Sequence, residues 1–149
     1  MPEDDRALKR RQRLGKKWHN KVMSWAHALW VSDWDVTTVV ADAESYNADK
    51  HNDGADFPSS AFSYTTPSYR LAHIVASEDA LKHAVHDPTE LDRLACHEVV
   101  HMVLSSLDTF AEDLIAGLPK GNSKLVFKRW RDALESTTSH LQRALSRMR

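Results

Sequence analysis

Apolar positions along the chain follow a helical period in three stretches, with intervals of three and four residues. The stretches and their apolar residues are 16–30 with Trp18, Val22, Trp25, Ala26, Leu29 and Trp30; 88–106 with Leu91, Leu94, Ala95, Val99, Met102 and Val103; and 123–148 with Val126, Trp130, Ala133, Leu134, Thr137, Leu141, Ala144, Leu145 and Met148. Each stretch predicts an amphipathic helix that packs through these residues.

Three shorter runs predict strands because they are β-branched or alternate between two faces. They are residues 34–40, 61–65 and 69–76, and Thr66-Pro67-Ser68 separates the second from the third. In the third run His73 shares a face with apolar residues, so we expect a structural role for it.

Polar segments divide these elements. Residues 42–60 are rich in Asp, Asn, Ser, Gly and Pro and predict a loop, and 77–84 predict a short helical turn. A separate helical stretch is expected over 108–118, followed by a break and a last helix capped by Ser123. The order indicates an α+β fold with an N-terminal helix and a small, mainly antiparallel sheet. We expect a single domain over 1–149, with 1–15 as a flexible basic segment.

Composition limits the classes of protein that fit. The chain has 149 residues and one cysteine, Cys96, so no disulfide framework is possible within it. Cys96 is expected to be a small buried residue. The sequence has neither a signal-peptide pattern nor an apolar run of membrane-spanning length. We therefore expect a soluble protein of the cytoplasm, without a membrane partner.

The net charge of −1 conceals an uneven distribution. Residues 1–21 carry eight Lys and Arg against three Asp and Glu, and 120–149 carry eight against two. The middle, 22–119, carries four against sixteen, a net charge of −12. Basic solvent faces on two terminal helices are the interpretation that we favour, and nucleic-acid binding is the alternative.

Candidate chemistry lies in His97-Glu98-Val99-Val100-His101, the HExxH pattern. Residues four apart share one face of a helix, so His97 and His101 can hold one metal ion while Glu98 polarises a metal-bound water. Asp87 as N-cap and Glu90 at the third helical position support a helix start just before the motif. Two histidines and a glutamate on so apolar a helix need partners, which a metal supplies.

A catalytic zinc needs a third protein ligand. The metzincin pattern is absent because Leu104 and Leu107 stand where its glycine and histidine would be. The remaining candidates are Glu112, Asp113, Glu135 and His140. Glu135 is favoured because its helix can pack across the motif helix, although it lies about 120° from the centre of the apolar stripe of that helix. His140 stays open, and the simpler interpretation of Glu135 is a solvated side chain that pairs with Arg131.

This arrangement resembles the gluzincin type of zinc metallopeptidase, and more narrowly the small metallopeptidases encoded by bacteriophages. The resemblance covers roughly 34–146 and includes a tyrosine-containing strand before HExxH and a glutamate on the last helix. It implies a minimal zincin-like domain in which His97, His101 and Glu135 bind Zn²⁺ and Glu98 is the general base.

The expected function is therefore zinc-dependent hydrolysis of a peptide or protein substrate that pairs with an edge strand at Tyr69–Ala76. Tyr64, Tyr69 and His140 are candidates for stabilising the oxyanion. Two alternatives remain. One is a catalytically silent scaffold with structural zinc that binds a protein partner, and the other is a DNA-associated metalloprotease. The oligomeric state and the cleavage specificity stay open.

Overall fold

The chain forms an α+β fold, as predicted. A computed structural model describes residues 3–42, 45–46 and 60–148, so most of the predicted loop at 42–60 lies outside the described residues. The elements are α1 (Glu3–Ala28), β1 (Asp35–Ala41), β2 (Ala61–Thr66), a 3-10 turn (Pro67–Tyr69), β3 (Leu71–Ser77), α2 (Glu78–Ala84), α3 (Pro88–Ala116) and α4 (Lys120–Ser146).

The three strands form one mixed sheet in the order β1-β3-β2. β3 pairs in parallel with β1 and antiparallel with β2. The predicted strand positions are confirmed to within about two residues, but the expectation of a mainly antiparallel sheet was wrong. β3 is the central strand, so the prediction that Tyr69–Ala76 forms a free edge was also wrong. Among the described strands, the edges belong to β1 and β2.

One face of the sheet carries the main core. Ala72, Ile74 and Ala76 of β3 point to the helices and are buried, whereas Leu71 and His73 on the opposite face are exposed. The face of β3 that includes His73 therefore does not carry the main core, contrary to our expectation of a structural role. Only Val75 on that face is buried, in a small second cluster with Ala41, Tyr46 and Phe62.

Helix α1 lies against the same core and is longer than predicted. Trp18, Val22, Trp25 and Ala26 are buried as expected, but Trp30 lies past the helix end and is 91% exposed. The helix begins at Glu3, so most of the basic segment 1–15, which the sequence predicts to be flexible, is helical.

An acidic partner explains why the basic segment of α1 is helical. The carboxylate of Glu78, at the start of α2, is almost fully buried and accepts hydrogen bonds from Arg10 (3.2 Å) and Arg11 (3.0 Å). A buried carboxylate without such partners would be costly. The two guanidinium groups therefore hold the N-terminal half of α1 against α2.

Helix α3 carries the HExxH motif and is continuous. Asp87 is the N-cap, as predicted, and its carboxylate accepts from the backbone N–H groups of Thr89 and Glu90. The predicted separate helix at 108–118 was wrong, because α3 runs unbroken to Ala116. The C-terminal half of α3 extends beyond the sheet and forms one arm of a helical hairpin.

Helix α4 packs through a face that overlaps the predicted apolar stripe only at its edge, where Leu134 is buried as predicted. The helix begins at Lys120 after Pro119, so Ser123 lies inside it and is not the N-cap. Its buried residues are Leu134, Thr138 and Gln142, whereas Val126, Leu141 and Met148 of the predicted stripe are exposed. This rotation turns the Glu135 side of α4 toward α3.

Candidate metal centre

The two histidines of the motif lie side by side on α3, in its sheet-facing half. The distance between His97 Nε2 and His101 Nε2 is 3.3 Å, and the rings meet edge to face. Both side chains are partly buried, which limits the water that competes for their nitrogen atoms. The helical spacing thus places two imidazole nitrogens at one point in space.

Glu135 reaches this point from α4. Its Oε2 lies 3.4 Å from His97 Nε2 and its Oε1 lies 3.2 Å from His101 Nε2. The three side chains form a group that could hold a metal ion, because their ligand atoms all lie within 4.8 Å of one another. About two turns further along α3, Asp108 accepts hydrogen bonds from Trp130 (2.6 Å) and Arg131 (3.4 Å) of α4. These contacts fix the two helices relative to each other.

These separations fit a tetrahedral ion. Zinc with bonds of about 2.0–2.1 Å and tetrahedral angles separates neighbouring donor atoms by about 3.3 Å. The two nitrogens lie 3.3 Å apart, and each has a different carboxylate oxygen of Glu135 at 3.4 Å (His97) or 3.2 Å (His101), so each of these pairwise distances is close to that spacing. Two imidazoles and one carboxylate are also a usual donor set for a catalytic zinc, which keeps its fourth position for water.

The electrostatics of the group favour charge on Glu135. Burial alone would raise the pKa of the Glu135 carboxyl, but hydrogen bonds with His101 and His97 outweigh it and hold the pKa well below its ordinary value. Burial would likewise lower the pKa of the His101 imidazole. Its hydrogen bond to Glu135 and the charges of Glu98 and Glu135 instead raise that pKa.

Glu98 lies beside the group and is 2% exposed. Burial raises the pKa of its carboxyl, against the opposing effect of the two histidines and of a hydrogen bond from the Ser63 hydroxyl. Glu98 Oε2 has no hydrogen-bond partner among the described residues. A buried carboxylate oxygen without a partner is costly, so a further polar group is expected to meet it.

The group opens onto a cleft of about 320 Å³ between the start of β2, the first half of α3 and the second half of α4. His97, Glu98 and Glu135 line it, together with Ser60, Ala61, Glu90, Arg93, Leu94, Ser139 and Gln142. The cleft has the size of a small-molecule pocket or of a short stretch of peptide.

The structure does not bring the other candidates to the cleft. His140 is exposed and its Nδ1 lies 2.7 Å from the carbonyl oxygen of Ser136. Glu112 and Asp113 lie in the distal half of α3. Tyr64 packs edge to face on Phe62 on the opposite side of the sheet, and Tyr69 is 75% exposed. None of these residues lines the cleft, so the proposed oxyanion roles of Tyr64, Tyr69 and His140 have no support here.

Sequence reasoning missed three polar residues of the site. The orientation of Ser63 is set by the sheet register, because Ser63 lies opposite Ile74 on the helix-facing side of β2. Gln142 is buried and lines the cleft. Its signal was present, since residues 135, 138 and 142 share one side of a helical wheel. Arg93 precedes His97 by one turn, and its position gave no functional signal.

No protein-family model, curated protein or solved structure matches this chain. Within the described residues, no helix combines the length and the apolar character needed to cross a membrane. The fold and the geometry of the cleft therefore carry the functional argument.

The pKa shifts predict how the stability of the metal-free protein depends on pH. A raised His101 pKa stabilises the fold fully below the ordinary value of 6.5, and this contribution is lost as the pH rises through the raised pKa. The lowered Glu135 pKa contributes stability above 4.5. Chelator-treated wild-type protein should therefore have a larger free energy of unfolding at about pH 6 than at about pH 8.

Urea denaturation of wild type and Glu135→Gln at both pH values measures this effect. The substitution removes the charge that raises the His101 pKa, so the decrease should be smaller in the variant. An equal decrease in both proteins would contradict the assigned coupling.

Proposed function

We propose that this protein is a zinc-dependent peptidase with His97, His101 and Glu135 as metal ligands and Glu98 as general base. The observation that carries the proposal is the convergence of three ligand side chains, whose ligand atoms lie within 4.8 Å of one another, beside a buried carboxylate oxygen that lacks a partner among the described residues. A hydrogen-bonded cluster without metal would explain the contacts among the three side chains. It would leave Glu98 Oε2 unexplained.

A zinc ion at this position would supply Lewis-acid chemistry and would lower the pKa of a bound water to about 7. Glu98 would be the general base that accepts the proton of that water and returns it to the leaving amine. Glu98 follows His97 directly on α3, so it cannot point at the centre of the three ligand atoms as they do. It would therefore act beside a bound metal rather than as a fourth ligand.

Ser63 is a positioning residue for Glu98. Its hydroxyl donates to the Glu98 carboxylate from β2, whereas Oε2 is buried and has no partner among the described residues. The edge strand and the motif helix are thereby joined at the base itself. This contact supports the assignment of Glu98 as base, because a base must be held within hydrogen-bond reach of the proton that it accepts.

The substrate is expected along β2 rather than along β3. The N–H of Ser77 donates to the carbonyl of Ser60 at 3.0 Å, so Ser60 and Ser77 form a hydrogen-bonded pair of the antiparallel ladder. Because such pairs alternate, the backbone groups of Ala61 and Ser63 point away from β3. An extended peptide that pairs with these groups would lie next to Glu98 and the ligand atoms.

The zinc ligands are tested by metal binding. Wild-type protein should bind about one zinc ion per chain, and His97→Ala, His101→Ala and Glu135→Ala should each weaken zinc affinity tenfold or more. His140→Ala is the matched control and should leave the affinity unchanged. Competition with a chromophoric chelator measures the affinities. Lost zinc in His140→Ala with retained zinc in Glu135→Ala would replace Glu135 by a third histidine.

The base is tested by a substitution that keeps shape and zinc. Glu98→Gln should lower the rate of cleavage of quenched fluorescent peptides at least about a hundredfold, with zinc still bound. Ser63→Ala should lower kcat by a smaller factor, because the base remains but is less well held. A zinc-binding protein that cleaves no peptide in a broad library would instead favour the silent scaffold.

The substrate strand is tested by two neighbouring proline substitutions. Ala61→Pro removes an N–H that points away from β3, to the side of β2 that no described strand covers, so peptide cleavage should fall while the urea midpoint changes little. Phe62→Pro is the contrasting variant, because it removes a ladder hydrogen bond to β3 and should destabilise the fold. Unchanged cleavage in a folded Ala61→Pro variant would exclude pairing at this edge.

A further inference from the structure

The cleft extends beyond the three candidate ligands, toward the start of α3. Two rows of side chains, each with spacings of three and four residues, form its walls: Glu90, Arg93 and His97 on α3, and Glu135, Ser139 and Gln142 on α4. Residues with this spacing share one side of a helix. Seven residues rise about 10 Å along a helix, so the cleft continues for about two turns away from the candidate metal centre.

The packing of α3 and α4 sets which parts of the two walls lie opposite each other. His97 contacts Glu135, whereas Asp108, further along α3, contacts Arg131, which precedes Glu135 on α4. The helices are therefore antiparallel. One turn back along α3 from the histidine corresponds to one turn forward along α4 from the glutamate.

Arg93 and Ser139 thus lie across the cleft from each other, one turn and about 6 Å from the candidate metal centre along the helices. Among the described residues that line the cleft, Arg93 is the only lysine or arginine. Its Nη1 lies 3.3 Å from Glu90 Oε2, and its guanidinium has no other polar partner within the described residues. A guanidinium has five N–H donors, so most of them stay available to a ligand in the cleft.

Two polar side chains of α4 complete this end of the cleft. Ser139 is partly buried, and its hydroxyl has no hydrogen bond within the described residues. Gln142 is 5% exposed, and its Nε2 donates to Ser146 Oγ at 3.0 Å, which holds the amide in place. The Gln142 Oε1 has no partner among the described residues. A nearly buried amide with one end unpaired is suited to bind a peptide group in the cleft.

The charges around Arg93 favour an anion as its ligand. Glu135 already pairs with both histidines, and Glu98 accepts a hydrogen bond from Ser63. In the proposed function the two positive charges of a zinc ion would offset these two carboxylates. The Arg93–Glu90 pair remains, and both of its side chains are about half exposed. Because exposed ion pairs contribute little stability, a carboxylate that binds the guanidinium through two hydrogen bonds can replace Glu90.

We propose that the cleft selects peptides with a carboxylate about two residues from the cleaved bond, which Arg93 binds together with the Ser139 hydroxyl. An extended peptide advances about 3.3 Å per residue, so two residues span the 6 Å between Arg93 and the candidate metal centre. The carboxylate is either the C-terminus of the substrate or the side chain of an Asp or Glu. The proposal rests on the proposed function for the cleaved bond, but the contact with the carboxylate does not require zinc.

NMR titration of the chelator-treated full chain measures this contact without cleavage. The probes are N-acetyl-trialanine with a free carboxylate, its C-terminal amide, and the amide of N-acetyl-Ala-Asp-Ala. At least one carboxylate probe should bind about tenfold more tightly than the neutral amide, and the tighter of the two identifies the source of the carboxylate. Arg93→Gln should abolish this preference. Arg93→Lys should retain part of it, because lysine keeps the charge but not the paired donors.

Arg13→Gln is the matched control, because Arg13 is an exposed arginine of α1 that does not line the cleft. This variant removes the same charge and should keep the preference. In the zinc-loaded protein, Arg93→Gln should raise KM for carboxylate peptides about tenfold with little change in kcat.

Two results would overturn the carboxylate site: equal binding of all three probes by the wild type, or a preference that survives Arg93→Gln. Failure of the proposed function gives a different result. A protein that shows the preference lost in Arg93→Gln, but that cleaves no peptide with zinc bound, would keep the carboxylate site and contradict the peptidase.

Discussion

The contact of Glu135 with His97 and His101 constrains how the two longest helices pack. The three ligand atoms converge only if α4 turns its Glu135 side toward α3. That side also carries Thr138 and Gln142, so a partly polar face is buried and an apolar stripe is left outside. Burial of a polar face costs free energy unless something compensates for it. In the proposed function a shared zinc ion would compensate, since metal-binding energy is then also folding energy.

The sheet has a second role beyond closing the core. β2 is an edge strand, and its helix-facing side brings Ser63 to the carboxylate of Glu98. On the same strand the backbone groups of Ala61 point away from β3, and Ala61 lines the cleft. Backbone pairing of a substrate and orientation of the base would therefore both depend on the register of β2 against β3, where a shift by one residue would turn Ser63 to the opposite face.

Much of the fold could be predicted from local patterns. The strand positions, the N-cap at Asp87 and the buried residues Trp18 to Ala26 of α1 follow from periodicity and capping chemistry, which act within a few residues. The errors concern long-range contacts. The helical N-terminal part of α1 depends on the ion pairs that its arginines make with Glu78. The parallel pairing of β1 with β3 joins strands that are not neighbours in the sequence. The continuity of α3 depends on its packing against α4.

The candidate site divides in the same way. The sequence alone determined that His97 and His101 share a helix face and that Glu98 adjoins them, because α-helical geometry fixes residues four apart. It also determined the short set of acids and histidines from which a third ligand could come. Only the tertiary structure shows that Glu135, and not Glu112, Asp113 or His140, lies beside the two histidines, since this depends on the rotation of α4 about its own axis. Hydrophobic periodicity gave a different rotation, because it assumes that a helix buries its most apolar side, whereas α4 packs on α3 through Leu134, at the edge of that stripe, and through the side that carries Glu135.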